Sequence, residues 1–125
     1  MAKTSEDLLW KLAESDEVDI ETRRDPKLPV HRTTIWIVPT TYGVYVRSYM
    51  GRKGRWYQEA LAHPLVTIRV GRRKVTARPE PEKNSLVIRA VNAAYRKKYG
   101  ERWPEDTQPM LKRSILPTTL RLTPV

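Results

Sequence analysis

His31-Arg-Thr-Thr-Ile-Trp-Ile-Val-Pro39, Thr40-Thr-Tyr-Gly43 and Val44-Tyr-Val-Arg-Ser-Tyr49 form the stretch that decides the fold. The first and third pieces are rich in β-branched and aromatic residues, and the second supplies a turn, so the spacing predicts a β-hairpin. Upstream, Val18-Asp-Ile-Glu-Thr-Arg23 alternates apolar and polar residues, the period of a half-buried strand, until Asp25-Pro-Lys-Leu-Pro29 interrupts it. Downstream, residues 65–70 and 74–78 alternate again about Gly71-Arg72-Arg73, giving a second hairpin closed by Pro79 and Pro81. Thr118-Thr-Leu-Arg-Leu-Thr123 reads as a last strand. The expectation is therefore six strands in hairpin-rich, largely antiparallel succession, in a mostly β chain with flanking helices. Six strands in one short chain bury their edges most readily by curling into a small barrel.

Three helices fit between these strands. Thr4-x-x-Asp7 has the form of a capping box that opens a helix carrying Leu8, Leu9, Leu12 and Ala13 on one face, a helical extension over residues 1–16. Trp56 to His63 gives about two turns before Pro64. Asn84 or Ser85 caps a longer helix bearing Val87, Ala90, Val91, Ala94 and Tyr95, with Gly100 placed as a left-handed C-terminal residue. Residues 101–117 contain three prolines and read as an irregular excursion. The chain of 125 residues fits one domain, residues 1–125, with a single core.

Charge narrows the choice of function. The 24 Lys and Arg residues exceed the 14 acids, for a net charge of +10, but unevenly. Residues 1–25 carry four bases and eight acids, whereas residues 26–79 carry eleven bases and only Glu59. Concentrated positive charge attracts phosphate, whether on nucleic acid, a lipid surface or a small cofactor. Cysteine is absent, which excludes disulfides, thiolate metal sites and cysteine nucleophiles. The two histidines, His31 and His63, are far apart in sequence, so no metal site is expected. Neither a basic-then-apolar leader nor a membrane-length apolar run is visible, so a cytoplasmic protein without membrane attachment is expected.

Within the basic third, Arg47 to Trp56 is the segment suited to an anion. Period two places Arg47 on one face with Tyr45 and Tyr49. Gly51-Arg-Lys-Gly-Arg55 then offers two glycines, Arg52, Lys53 and Arg55, and leads directly into a helix whose N-terminal dipole favours negative charge. Arg32, Thr33 and Thr34 place a guanidinium and hydroxyls beside the apolar run that begins at Ile35, a polar rim on a hydrophobic wall. The second basic cluster, Arg69, Arg72, Arg73, Lys74 and Arg78, surrounds a hairpin turn, where charge commonly protects edges. The spacings of a P-loop, a dinucleotide fingerprint and a nucleophile elbow are absent.

Glu21-Thr22-Arg23, His31 to Val38, Tyr45-Val-Arg-Ser48, Gly51 and Arg55-Trp56-Tyr57 together resemble the DUF2255 family, which belongs with the flavin-binding split-barrel proteins related to pyridoxamine 5'-phosphate oxidase and the deazaflavin-dependent nitroreductases. The resemblance covers residues 17–75 most clearly. It implies a six-stranded split barrel of the FMN-binding type that forms a homodimer, with FMN or the deazaflavin F420 between subunits, acting on a small-molecule substrate. It further implies that Arg47, Ser48, Arg52, Lys53 and Arg55 lie on the phosphate side and Arg32, Thr33, Thr34 and Ile35 on the ring side, with Trp56 beside the cofactor or anchoring its helix. The cofactor would supply hydride transfer and the protein its position. Two other classes stay open at this point: a basic barrel that stacks nucleic-acid bases, for which absent Phe and a missing RNA motif argue poorly, and a non-catalytic dimeric barrel.

Overall fold

A computed structural model describes residues 4–125; Met1, Ala2 and Lys3, the start of the expected helical extension, lie outside the described residues. Seven strands form one antiparallel sheet: β1 (Val18–Thr22), β2 (His31–Ile35), β3 (Val38–Thr40), β4 (Gly43–Val46), β5 (Val66–Val70), β6 (Arg73–Pro81) and β7 (Leu120–Pro124). Their order is β2-β1-β5-β6-β7-β4-β3, so the two outermost strands are consecutive in sequence. The chain leaves one edge of the sheet and, after Trp36 and Ile37, enters the other. The sheet is thereby rolled into a barrel split between β2 and β3.

That corner corrects the expected strand count from six to seven. Residues 31–39 read as one strand because no glycine or turn residue interrupts them. In the fold β2 pairs with β1 while β3 pairs with β4, so the chain must change partners between Ile35 and Val38. The freed backbone groups at Ile37 are bound by side chains distant in sequence: its N–H donates to Tyr99 Oη at 3.1 Å, and Lys98 Nζ donates to its carbonyl at 2.6 Å. Trp36 stacks on the Tyr99 ring, with centroids 4.0 Å apart and planes 4° from parallel. These contacts hold a bend that no local residue requires.

Two apolar clusters hold the fold. The barrel interior is filled by Ile20, Ile37, Val44, Val46, Ile68, Ala77 and Leu120, and closed by Leu9 and Leu12 of α1 (Ser5–Leu12), by Ala13 that caps it, and by Trp56, Tyr57 and Ala60 of α2 (Arg55–Ala62). Outside β3 and β4, helix α3 (Ser85–Tyr95) packs Val87, Val91 and Tyr95 against Val38 and Tyr45. Strand β4 is therefore buried on both faces. The Thr4–Asp7 capping box forms as expected, and Asn84 Oδ1 accepts from the N–H groups of Leu86 and Val87 at the start of α3.

Two local expectations differ. Gly100 does not end α3 in a left-handed turn; the helix widens into a π-turn over Arg96–Gly100, which brings Lys98 and Tyr99 to the Ile37 corner. Strand β6 also runs through Pro79 and Pro81. Pairing with β5 stops at Ala77, so beyond it only the β7 side of the strand is hydrogen-bonded and the missing N–H groups are tolerated. The excursion at residues 101–117 contains the short helix α4 (Pro104–Thr107) and single 3-10 turns.

Candidate functional site

Beside the split lies a groove of about 740 Å³. Its walls come from β2 and the corner (Thr33, Thr34, Ile35, Trp36), from the segment after β4 (Arg47 to Met50), from the start of α2 (Gly54, Arg55, Trp56) and from the excursion (Trp103, Asp106, Met110), with Asp16 and Glu17 at one rim. The floor is apolar: Ile35, Trp56 and Met110 are buried. The groove is polarised, with the cation Arg55 at the α2 end and Asp16, Glu17 and Asp106 elsewhere on the wall.

The segment from Arg47 to Arg55 divides into an inward and an outward part. Arg47 is 1 % exposed and sits beneath α3. Its Nε donates to Thr119 Oγ1 at 2.8 Å, Nη1 to Asn92 Oδ1 at 2.6 Å and to the Met110 carbonyl at 3.0 Å, and Nη2 to the Ile88 carbonyl at 3.2 Å. The guanidinium also lies over the Tyr95 ring, 5.3 Å from its centroid. Four of the five N–H donors of an arginine are thus engaged within the chain, and one Nη2 donor is left over. Burial draws its pKa down to about 10, with no carboxylate among these partners. Arg47 is first a structural cation that joins β4, α3 and the excursion. Tyr45 shares its buried face, but Tyr49 does not: the strand ends at Val46, the alternation stops, and Tyr49 is 58 % exposed.

Ser48 is buried, and its Oγ donates to the Gly51 carbonyl at 2.8 Å. Gly51 has φ +67°, in the left-handed region. A Cβ on Gly54 would collide with Ser48 Oγ. Both glycine N–H groups are spent inside the turn, Gly51 on the Ser48 carbonyl and Gly54 on the Gly51 carbonyl. The free backbone N–H groups of this segment belong instead to α2. That helix has no side-chain cap, and among the described residues nothing accepts from the N–H groups of Arg55, Trp56 and Tyr57. The Arg55 side chain is exposed beside them.

Seven of the ten residues expected at a cofactor site, Thr33, Thr34, Ile35, Arg47, Ser48, Arg55 and Trp56, line this one groove. Thr34 Oγ1 donates to Asp19 at 2.8 Å and remains able to accept, and Trp56 both lines the groove and anchors α2 in the barrel core. Arg32 is not brought in; it is bound by Glu21 at 2.7 Å, a carboxylate shared with Arg69 and held below its usual range by these two partners against the cost of burial. Arg52 and Lys53 line a second groove on the other side of the 3-10 turn Gly51–Lys53. Sequence reading missed the far wall, Asp16, Glu17, Trp103, Asp106 and Met110. The one signal was Trp103-Pro104, an aromatic residue followed by a helix-starting proline inside a polar excursion. Neither histidine lines the groove: His31 Nδ1 lies 2.7 Å from the buried carboxylate of Glu59, whose other oxygen accepts from Thr22 Oγ1 at 2.9 Å.

The family model described as an uncharacterized protein conserved in bacteria, DUF2255, matches residues 8–122. The chain belongs to the DUF2255 family. Solved structures share the fold of this DUF2255 protein across nearly its whole length. HutZ, the heme storage protein from Vibrio cholerae, is 14 % identical with a TM-score of 0.66, covering 98 % of this chain and 92 % of its own. A putative pyridoxamine 5'-phosphate oxidase from Listeria innocua is 13 % identical with a TM-score of 0.65, covering 98 % and 94 %. An FAD-binding protein from Mesorhizobium loti is 12 % identical with a TM-score of 0.61, covering 98 % and 91 %. At such identities the likeness shows the fold, a half-barrel of the split-barrel kind, and nothing finer. No curated protein is significantly similar in sequence. Among the described residues no helix of this DUF2255 protein is long and apolar enough to cross a membrane.

Proposed function

We propose that this DUF2255 protein binds a phosphate-bearing flavin, FMN or the deazaflavin F420, in the groove beside the barrel split, and serves as a cytoplasmic oxidoreductase for a small molecule. The observation that carries the reading is the pairing, in one groove of about 740 Å³, of an uncapped helix start and a free arginine with the apolar side chains Ile35, Trp56 and Met110. The donor set fits a phosphate. Arg55 and the N–H groups at the start of α2 hold it, and the remaining Arg47 donor and the Ser48 segment bound its pocket. Thr33, Thr34, Ile35 and Trp56 form the ring side. Bound there, the flavin supplies hydride transfer, and the chain's own residues position it and exclude water. We take the working form to be a homodimer whose second copy covers the open side of the groove at Thr34 and Trp103, both exposed in the single chain.

The test is a fluorescence titration of purified protein with FMN and with F420. Saturable binding of either at micromolar concentration supports the reading, with Arg55→Ala weakening it about tenfold, the size of one charge-assisted phosphate contact. A colourless protein that binds neither cofactor overturns it.

A further inference from the structure

Across the 3-10 turn Gly51–Lys53 from the proposed flavin groove lies a second cavity, also of about 740 Å³. Its charged residues are Arg52, Lys53, Lys112 and Arg113, four cations from two segments far apart in sequence, and no carboxylate lines it. All four are exposed, and among the described residues their side chains make no ion pair or hydrogen bond. Arg32 and Arg69, by contrast, share Glu21, and Arg102 is bound to Asp16; the hairpin cations Arg72, Arg73, Lys74 and Arg78 are also exposed and without an ion pair, but they line neither groove. Four unneutralised cations facing one concavity repel one another and are held there by the turn and by the Lys112–Ser114 segment; an anionic ligand relieves that repulsion.

The two grooves are not separate. Tyr49 and Met50 line both, and these two apolar side chains stand 58 % and 67 % exposed on the ridge between them. A ligand whose phosphate lies at the start of α2 and which extends over this ridge enters the field of Arg52, Lys53, Lys112 and Arg113. Its continuation meets an exposed tyrosine ring, a surface on which a purine base stacks.

We propose that the second groove binds the adenylate half of a dinucleotide, so that a flavin dinucleotide spans both grooves and is held more tightly than FMN, which fills the first groove alone. The inference rests on the flavin reading above and extends it to the ligand's second half. Binding is measured by calorimetry with FMN, FAD and ADP, on the wild type and on the double variant Lys112→Glu/Arg113→Glu. Both positions are exposed and outside the first groove, and an unchanged melting temperature confirms that the variant folds. The expected result is that FAD binds at least tenfold more tightly than FMN, that ADP alone binds the wild type, and that the double variant loses the FAD preference and the ADP binding while its FMN affinity stays within twofold. FMN binding with no gain for FAD overturns the second groove and leaves the first reading intact, as does a variant that weakens FMN and FAD equally. ADP binding that the variant abolishes, with no binding of either flavin, supports an adenylate site while overturning the flavin reading. No binding of any of the three overturns both.

Discussion

Arg47 and Arg55 stand eight positions apart in one basic stretch, and the structure gives them opposite employment. The guanidinium of Arg47 is enclosed by Thr119, Asn92, Met110 and Ile88, whereas Arg55 projects from the start of α2 with no partner among the described residues. Counting charges along the chain weighs the two alike. Counting donors separates them: a cation whose N–H groups are already satisfied by its own chain is a structural element, and one beside unsatisfied backbone N–H groups is available to a ligand.

Replacing Arg47 breaks the comparison most severely. Arg47→Met takes a donor from the buried Thr119 hydroxyl and Met110 carbonyl and from the partly buried Asn92 amide and Ile88 carbonyl, at roughly 1–3 kcal/mol for each unsatisfied buried group, so urea denaturation should show a loss of about 3 kcal/mol. Arg47→Lys should not restore it, because an ammonium cannot reproduce the planar fork. If Arg47→Met unfolds at the wild-type urea midpoint, the structural assignment is wrong.

The hinge between the inward and outward parts comes next. Gly54→Ala drives a methyl group into Ser48 Oγ, and overpacking of this kind costs about 1–3 kcal/mol. Adding Ser48→Gly should recover part of that loss, a non-additivity readable from a double-mutant cycle. Strict additivity would show that the two positions do not meet.

Lys98 sharpens the comparison as a second enclosed cation. Its Nζ donates to the carbonyls of Ala13, Ser15 and Ile37, and burial draws its pKa from 10.5 to about 8, opposed by Asp16. Between those values the unfolded chain holds more protons, so raising the pH favours the folded state at this group. The stability of the wild type relative to Lys98→Met should therefore rise between pH 7.5 and 9.5, measured by melting at each pH. A fall over that window would show that the three carbonyls hold the ammonium more strongly than burial opposes it.

The smallest effect on stability belongs to the outward residue. Arg55→Ala should leave the urea midpoint almost unchanged, within about 0.5 kcal/mol, as expected of an exposed side chain without partners. Its consequence should appear only in ligand binding. A large loss of stability at Arg55 would erase the distinction drawn between the two arginines.

The strands were legible wherever their pattern was local. Alternation in Val18 to Arg23 and in both segments of the second hairpin, the capping box at Thr4, and the Asn84 cap all depend on neighbours within a few residues, and the sequence displays those neighbours directly. The grouping of Thr33, Thr34, Ile35, Ser48, Arg55 and Trp56 was implied by the family resemblance, while the groove that brings them together follows from the chain's passage between the two edges of the sheet at the β2–β3 split.

What the amino-acid sequence determined on its own was thus a basic, mostly β chain with an anion-suited segment and a recognisable family pattern. The break between β2 and β3, the enclosure of Arg47, and the far wall of the groove were decided only by tertiary structure. The first two depend on partners 41 to 72 positions away, such as Tyr99 at Ile37 and Thr119 at Arg47, separated by 62 and 72 residues. Such contacts leave no period in the chain, since the partners are selected by how the helices pack over the barrel and not by the residues beside them.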